Sequence, residues 1–133
     1  MDDTELSPNR AGAVSEQVVA ARLLRAGFNV SEPRVPCQYD VIVDLDGELT
    51  KTQIKRGFAD SRPETLRVNM MGSIHDGGTS YESVTYDSAH VDAFAVHDPI
   101  NEEVYWLWFD EAPTTELRRK YNSLLAHTID RKL

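Results

Sequence analysis

Polar side chains that could do chemistry occur in the stretch YDVIVDLDGELTKTQIK, residues 39–55. Two runs rich in Val, Ile and Thr flank Asp46-Gly47, a dipeptide that favours a tight type I′ turn, so the stretch is predicted to form a β-hairpin. When the strands are paired outwards from this two-residue loop, Asp40 lies opposite Gln53 and diagonal to Lys55 on the same face. A carboxylate, an amide and an ammonium group are therefore expected to converge on one face of the hairpin.

Such a cluster suits the hydrolysis of a phosphodiester with a hard metal ion. Mg²⁺ prefers an octahedral shell of oxygens, and Asp40 with the carbonyl of Gln53 or Ile54 could supply part of that shell. Lys55 could then stabilise the charge that develops on the phosphate or orient the attacking water, while the metal lowers the pKa of that water. The best candidate for a second carboxylate is Glu16, the only acidic residue of the first predicted helix.

The elements that must position these side chains follow from local patterns in the chain. Ser7-Pro8 is a natural helix start, apolar residues follow at helical spacing, and Gly27 is a natural stop. A first helix is therefore predicted from Pro8 to Ala26. Besides the hairpin, strands are predicted at residues 28–30, 65–70, 90–98 and 103–110.

Three later segments have weaker patterns. Residues 71–80, MGSIHDGGTS, are expected to form a loop, and residues 81–86 are ambiguous. Thr114 or Thr115 is expected to cap a closing helix that runs to about His127.

The order of helix, strands and helix predicts an α/β (α+β) protein with a central mixed β-sheet flanked by helices. The runs at residues 90–98 and 103–110 are nearly continuously apolar, as expected for strands that are covered on both faces. With 133 residues, of which 41% are hydrophobic, the chain is long enough for one domain with its own core. We expect a single domain with its core at about residues 8–110 and a C-terminal helix at about residues 114–128.

The net charge of −8 opposes a nucleic-acid partner, but the charges are unevenly distributed. Between Lys51 and Arg67 there are five basic residues and two acidic ones, whereas residues 70–117 carry ten acidic residues and no Lys or Arg. This distribution suits a protein that meets a polyanion on one face only. With ten Arg, four Lys and many acids, the composition also resembles that of proteins from the high-salt cytoplasm of halophilic archaea.

Several classes of protein and site are not expected. The sequence has no apolar run of the roughly 20 residues that span a bilayer, and its acidic start lacks the basic region of a secretory signal. A cytoplasmic protein without a membrane segment is therefore expected. The only cysteine, Cys37, cannot form an intramolecular disulfide and is expected to be a small apolar filler, and the four His residues lack the spacing of a zinc site.

The order of the candidate residues resembles a known superfamily. Glu16 in a first helix, Asp40 at the opening of a strand and Gln53-Ile54-Lys55 after a hairpin turn resemble the PD-(D/E)xK nucleases, with Gln53 in place of the usual acid. The pattern is most similar to the branch that holds group I intron homing endonucleases and archaeal Holliday junction resolvases. In that branch a GxxSE-type helix, a YDvivd.dG hairpin and a tQiK strand occur in this order.

Flanking segments extend the resemblance to most of the chain. Residues 12–30, GAVSEQVVAARLLRAGFNV, match the first helix and strand of that branch. Residues 91–109, VDAFAVHDPINEEVYWLWF, resemble the strand pair that follows its catalytic core. The resemblance is more specific than any single motif within it, since a lone D…QxK would be weak.

The resemblance implies a metal-dependent DNA endonuclease with a restriction-endonuclease-like core and a four-stranded mixed sheet. Glu16, Asp40 and Gln53 would bind Mg²⁺ or Mn²⁺, and Lys55 would be the catalytic lysine. Because Gln53 contributes no charge, the metal would bind more weakly or as a single ion. The family commonly works as a homodimer or higher homo-oligomer, and a junction resolvase of DNA repair or recombination and a homing-type enzyme are equally open.

Basic residues around the motifs are candidates for contacts with the DNA backbone, although ordinary surface charge is an equal alternative. The candidates are Arg22, Arg25, Arg34, Lys51, Arg56, Arg62 and Arg67. Trp106 and Trp108 face one side of their strand and are predicted to pack in the core rather than to stack on bases.

Each catalytic role has a simpler alternative. Glu16 could be an exposed residue of an amphipathic helix, and Asp40 could cap the loop before its strand. Gln53 and Lys55 could form a solvated edge of the sheet. The whole chain could also be a nuclease fold without chemistry, used as a DNA-binding or assembly module. The joint presence of Glu16, Asp40 and Lys55 favours the enzyme, because a decayed site has no physical reason to keep a buried lysine beside carboxylates.

Overall fold

The computed structural model describes residues 5–75 and 81–133. Helix α1 (Pro8–Arg25) begins where the sequence predicts, with the Ser7 hydroxyl accepting a hydrogen bond of 3.3 Å from the Arg10 amide and proline at the first helical position. Gly27 follows the helix with a φ of 96°, a left-handed conformation that glycine adopts without strain. The predicted first helix is confirmed to within one residue at its C-terminal end.

Ten strands lie in the described residues: β1 (Asn29–Ser31), β2 (Val41–Leu45), β3 (Glu48–Arg56), β4 (Phe58–Ala59), β5 (Thr65–Asn69), β6 (Gly72–His75), β7 (Tyr81–Val84), β8 (Ala93–Asp98), β9 (Glu103–Trp108) and β10 (Glu116–Lys120). Two short helices, α2 (Tyr121–Leu124) and α3 (Ile129–Lys132), follow β10, and the segments Phe109–Glu111 and Leu125–His127 form 3₁₀ turns. Within the described part of the chain, no helix is long and apolar enough to cross a membrane.

The central sheet has five strands in the order β1-β2-β3-β8-β9. Strands β3 and β8 are parallel, whereas the other neighbouring pairs are antiparallel. The expected mixed sheet is therefore confirmed, with β1 added at one edge of the four strands that the resemblance implies. In the hairpin, Leu45 pairs with Glu48, and Asp46 and Gly47 have positive φ values of 54° and 100°, as a type I′ turn requires.

A second sheet, in the order β10-β5-β4, corrects the prediction for the end of the chain. The closing helix predicted at residues 114–128 is wrong, because its first half is the strand β10 and only single helical turns follow. Leu117 is buried and pairs with Val68, while Glu116 and Arg118 on either side are exposed. This alternation has the period of a strand, and pairing with β5 decides the conformation against the helical propensity of the residues.

A hairpin of β6 and β7 corrects the loop predicted at residues 71–80, since residues 72–75 form a strand. Residues 76–80 of that prediction lie outside the described residues. The ambiguous segment at residues 81–86 begins with the partner strand β7.

The central sheet lies between two layers, as the apolar runs of β8 and β9 predict. On one face, Val19 and Leu23 of α1 pack in a core cluster with Ile54, Ala95 and Trp106. On the other face, side chains of the second sheet pack against β8 and β9, namely Leu66, Val68, Met70 and Leu117 against Phe94, Val96, Tyr105 and Leu107. Burial of these apolar surfaces is the main stabilising term of the fold.

The two tryptophans confirm the prediction of core packing. Trp106 is completely buried, and the ring of Trp108 meets it edge-on with centroids 5.5 Å apart.

Candidate active site

The hairpin of β2 and β3 separates its apolar and polar side chains onto opposite faces. Val43 and Ile54 are buried in the core cluster beneath α1. Gln53 and Lys55 alternate with them on β3 and are half-buried on the other face. Because this face is partly covered, it is not a solvated edge of the sheet.

Asp40 is fixed across the hairpin at the start of β2. Its amide donates to the Thr52 carbonyl at 3.0 Å, and its Oδ2 accepts a hydrogen bond of 2.8 Å from the Ile54 amide. Its Oδ1 accepts no hydrogen bond from the part of the chain that the structure describes. Burial raises the pKa of Asp40, although the Ile54 hydrogen bond and the charge of Lys55 act in the opposite direction. This half-buried carboxylate would therefore gain from a bound cation.

Glu16 lies on α1 and lines an open cleft of about 390 Å³ together with Asp40. The segment before β2 borders this cleft, including Glu32, Arg34 and Cys37. Glu16 is exposed, but its partial desolvation raises its pKa, and the negative charges of Asp40 and Glu32 raise it further. Carboxylates that repel one another across a cleft are a favourable arrangement for a divalent cation.

Lys55 lines a second cleft of about 340 Å³, together with Gln53, Gly72 and Tyr86. Its Nζ donates a hydrogen bond of 2.6 Å to the Met71 carbonyl and lies 5.0 Å from the centroid of the Tyr86 ring. Burial lowers the pKa of Lys55 to about 8, while the charge of Asp40 acts to raise it. The side chain is therefore still mostly protonated at neutral pH.

The donor atoms of this site suit a hard cation. Glu16 and Asp40 offer carboxylate oxygens in one cleft, and Gln53 offers an amide oxygen in the other cleft, which Lys55 lines. Among residues 5–75 and 81–133, no three His, Cys, Asp or Glu side chains group closely enough to hold a metal by themselves. The neutral Gln53, backbone carbonyls and water would have to complete the shell of ligands.

A buried polar cluster lies behind the site and was missed by sequence reasoning. Ser15 Oγ lies 2.8 Å from His97 Nδ1, and Arg56 Nη1 donates hydrogen bonds of 3.1 Å to both Ser15 Oγ and the Ala11 carbonyl. Arg56 was predicted to contact DNA, yet these bonds tie β3 to α1. No sequence signal indicates the cluster, since its members come from three separate elements.

The other predicted DNA contacts lie in different surroundings. Arg34 lines the cleft that contains Glu16 and Asp40. Arg22 pairs with Glu103 at 3.5 Å, Lys51 Nζ donates to the Ala89 carbonyl at 2.6 Å, and Arg67 lies 3.8 Å from Glu116. Arg25 and Arg62 are exposed.

Two further residues lie at the clefts although the sequence did not place them there. Cys37 was expected to be an apolar filler, but it is exposed and borders both clefts. The filler prediction is wrong because the proline-punctuated segment from Pro33 to Pro36 keeps the cysteine outside the packed layers. Tyr86 gave no signal in the sequence, and it lies against Lys55 only because the chain returns to the site after β7.

Comparison with known proteins agrees with this geometry. The sequence model of the PD-(D/E)XK endonuclease family matches residues 6–125, most of the chain. Among solved structures, the chain is similar to a bacterial homing endonuclease, I-Ssp6803I, with a TM-score of 0.72 and 20% identity, covering 86% of this chain and 78% of that one. Among curated proteins, none matches the sequence significantly. The predicted resemblance to the PD-(D/E)xK nuclease superfamily is thereby confirmed. The chain belongs to the PD-(D/E)XK endonuclease family.

Proposed function

We propose that the protein is a metal-dependent DNA endonuclease that hydrolyses phosphodiester bonds, with Glu16, Asp40 and Gln53 as ligands of Mg²⁺ or Mn²⁺. The observation that carries the proposal is the proximity of two clefts, one lined by Glu16 and Asp40 and the other by Gln53 and Lys55, with Cys37 at the border of both. The charge of Lys55 acts on Asp40. The family match supports a nuclease.

The chain's own residues divide the work at the scissile phosphate. When bound, a divalent ion supplies Lewis-acid activation of the attacking water and the phosphate. Asp40 is oriented for this role by the Ile54 amide, which occupies Oδ2. Lys55, whose ammonium donates to the Met71 carbonyl in the DNA-free protein, is placed to act as a cation and hydrogen-bond donor toward the phosphate.

Gln53 limits the charge of the site. The three proposed ligands are two carboxylates and one neutral amide, so they would hold a metal with two negative charges instead of three, while Glu32 borders the same cleft. We expect weaker metal binding than a third carboxylate would give, with catalysis retained.

A homodimer or higher homo-oligomer follows if both DNA strands are to be cut. One set of Glu16, Asp40 and Lys55 in each chain can attack one phosphodiester at a time. Two copies related by a two-fold axis would present two such sites to a duplex or to a four-way junction, both of which have matching symmetry. Site-specific cleavage and junction cleavage are equally compatible with this arrangement.

The deciding experiment measures cleavage of labelled four-way junction and linear duplex DNA at high salt with Mg²⁺ or Mn²⁺. Asp40→Asn is the test variant, because asparagine can still accept the Ile54 hydrogen bond. Glu48→Gln is the matched control, since it neutralises an exposed acid of the same hairpin. Metal-dependent cutting by the wild type and by the control, but not by Asp40→Asn, would support the proposal. DNA binding without cutting by any of the three would overturn it in favour of an inactive binding module.

A further inference from the structure

Tyr86 lies against the one lysine of the site, and neither the family motif nor the proposed function gives it a role. The centroid of its ring is 5.0 Å from Lys55 Nζ, within the range in which an aromatic face attracts a cation. The same Nζ donates to the Met71 carbonyl at 2.6 Å. The ammonium of Lys55 thus rests between an aromatic ring and a backbone oxygen.

The Tyr86 ring is held by the core of the protein. It meets the buried ring of Phe94 edge-on, with centroids 5.5 Å apart and planes at 75°. Phe94 in turn stacks on Phe109, with centroids 6.3 Å apart. Such edge-to-face and stacked contacts restrict how an aromatic ring can turn. The Tyr86 ring therefore offers Lys55 a fixed surface.

Gly72 makes this position of the ring possible. A Cβ atom at residue 72 would lie 2.9 Å from Tyr86 Cζ and 3.0 Å from its hydroxyl oxygen, so the ring occupies the space that any other side chain would need. Gly72 directly follows Met71, whose carbonyl accepts the Lys55 hydrogen bond. Glycine at position 72 therefore lets the Tyr86 ring and the Met71 carbonyl contact the Lys55 ammonium at the same time.

The two partners constrain Lys55 in different ways. A hydrogen bond to the Met71 carbonyl is directional and occupies one of the three N–H donors. Attraction to a ring face persists over a range of angles, and it acts while the cation lies within about 6 Å of the ring centroid. An ammonium over the ring can therefore turn a donor from the Met71 carbonyl to a phosphate oxygen without leaving the ring.

We propose that Tyr86 is the positioning residue of Lys55, because its ring holds the ammonium beside Asp40 while the Met71 carbonyl gives way to a phosphate oxygen of the bound DNA. The inference rests on the proposed nuclease function and adds a residue to its site. Loss of the ring leaves Lys55 in place but free to take up other rotamers, so the chemical step slows more than DNA binding weakens.

The test compares Tyr86→Leu, which removes the ring, with Tyr86→Phe, which keeps it. Phe109→Leu is the matched control, because it removes a ring from the same aromatic cluster, on the far side of Phe94. Two quantities are measured for each variant: kcat and KM for DNA cleavage with Mg²⁺, and the rate at which an acetylating reagent modifies Lys55. The exposed Lys120 serves as the internal reference for acetylation, which peptide mass spectrometry resolves in a chain with four lysines.

We expect Tyr86→Leu to lower kcat roughly tenfold with KM changed less than about twofold, and to raise the relative acetylation of Lys55 severalfold. Tyr86→Phe and Phe109→Leu should retain the wild-type acetylation of Lys55. Gly72→Ala should reproduce both effects of Tyr86→Leu by displacing the ring, whereas Gly12→Ala, whose added Cβ meets no atom within 4 Å, should not.

The outcomes separate this inference from the nuclease proposal. Wild-type kcat and acetylation in Tyr86→Leu, or equal changes in Phe109→Leu, would overturn the role of Tyr86. If the wild type does not cut DNA, the acetylation measurement still decides the matter. If Lys55 is acetylated faster in Tyr86→Leu and Gly72→Ala, but not in the control variants, the positioning role of Tyr86 is supported. The absence of DNA cleavage then counts only against the proposed nuclease function. If Tyr86→Leu does not fold, Gly72→Ala against Gly12→Ala gives the same decision.

Discussion

Arg56 Nη1 donates a hydrogen bond of 3.1 Å to Ser15 Oγ, and this bond joins the two chain segments that carry the site. Ser15 directly precedes Glu16 on α1, and Arg56 directly follows Lys55 on β3. His97 of β8 lies 2.8 Å from the same hydroxyl. The buried Ser15 hydroxyl therefore fixes the position of the Glu16 backbone relative to the sheet.

Ser15→Ala is expected to destabilise the protein and to weaken metal binding. It removes the buried hydroxyl that His97 and Arg56 contact, which costs about 1–3 kcal/mol of unfolding free energy, and it releases the segment of α1 that carries Glu16. Unfolding in urea and Mn²⁺ titration calorimetry measure the two effects. Ser7→Ala is the control. Loss of this helix cap costs about 1 kcal/mol at the start of α1 and does not touch the site. Equal metal affinity in both variants would contradict the expectation.

Asp40→Asn is expected to stabilise the metal-free protein at neutral pH while it abolishes cleavage. Burial raises the pKa of Asp40 in the folded state, so the folded wild type holds its proton more tightly than the unfolded chain. The stability of the wild type then falls as the pH rises from the unfolded pKa through the raised folded pKa. Asparagine does not titrate over this pH range. The gain in stability of Asp40→Asn over the wild type should therefore be absent below the unfolded pKa of Asp40 and constant above its folded pKa.

Thermal unfolding in EDTA at a series of pH values checks this prediction. Addition of Mn²⁺ should raise the melting temperature of the wild type and leave that of Asp40→Asn nearly unchanged. A variant that is less stable than the wild type at every pH would show that the Asp40 carboxylate stabilises the fold.

Gln53→Glu is expected to tighten metal binding by about tenfold, because it replaces the neutral member of the proposed ligand set with a charged one. Gln38→Glu is the control, since it places the same charge at the border of the Lys55 cleft. Calorimetric titration with Mn²⁺ gives both affinities. An equal gain in both variants would mean that only the general field of the cleft has changed, and that residue 53 does not contact the metal.

Arg34→Ala is expected to weaken DNA binding and to lower the slope of log affinity against log salt by about one. Arg34 borders the cleft of Glu16 and Asp40, where the proposed function places the DNA backbone. Arg22→Ala should have little effect, because Arg22 pairs with Glu103 on the side of β9. Fluorescence anisotropy at several salt concentrations, in an Asp40→Asn background that cannot cut, measures both slopes. If Arg22→Ala lowered the slope more than Arg34→Ala, the DNA would lie on the other side of the molecule.

The hairpin and the site residues on it were predictable because their signals are local. Asp46-Gly47 sets the turn, the turn sets the register, and the register pairs Val41 with Thr52, the neighbours of Asp40 and Gln53 in the chain. The strand β10 could not be predicted in the same way, because Leu117 is buried only through pairing with the distant Val68. Tyr86 was missed for a related reason, since its contact with Lys55 depends on where β6 and β7 return the chain.

The pairing of β5 with β10 also has a consequence for how the protein is made. All five residues of β5 pair with β10, which is synthesised after the nine other strands of the described residues. Until it emerges, β5 presents an open strand edge beside apolar residues such as Leu66 and Val68, and open edges of this kind template aggregation. Synthesis of β10 therefore closes this edge, and a stop codon ahead of residue 116 would leave the hairpin of β2 and β3 on an aggregation-prone chain.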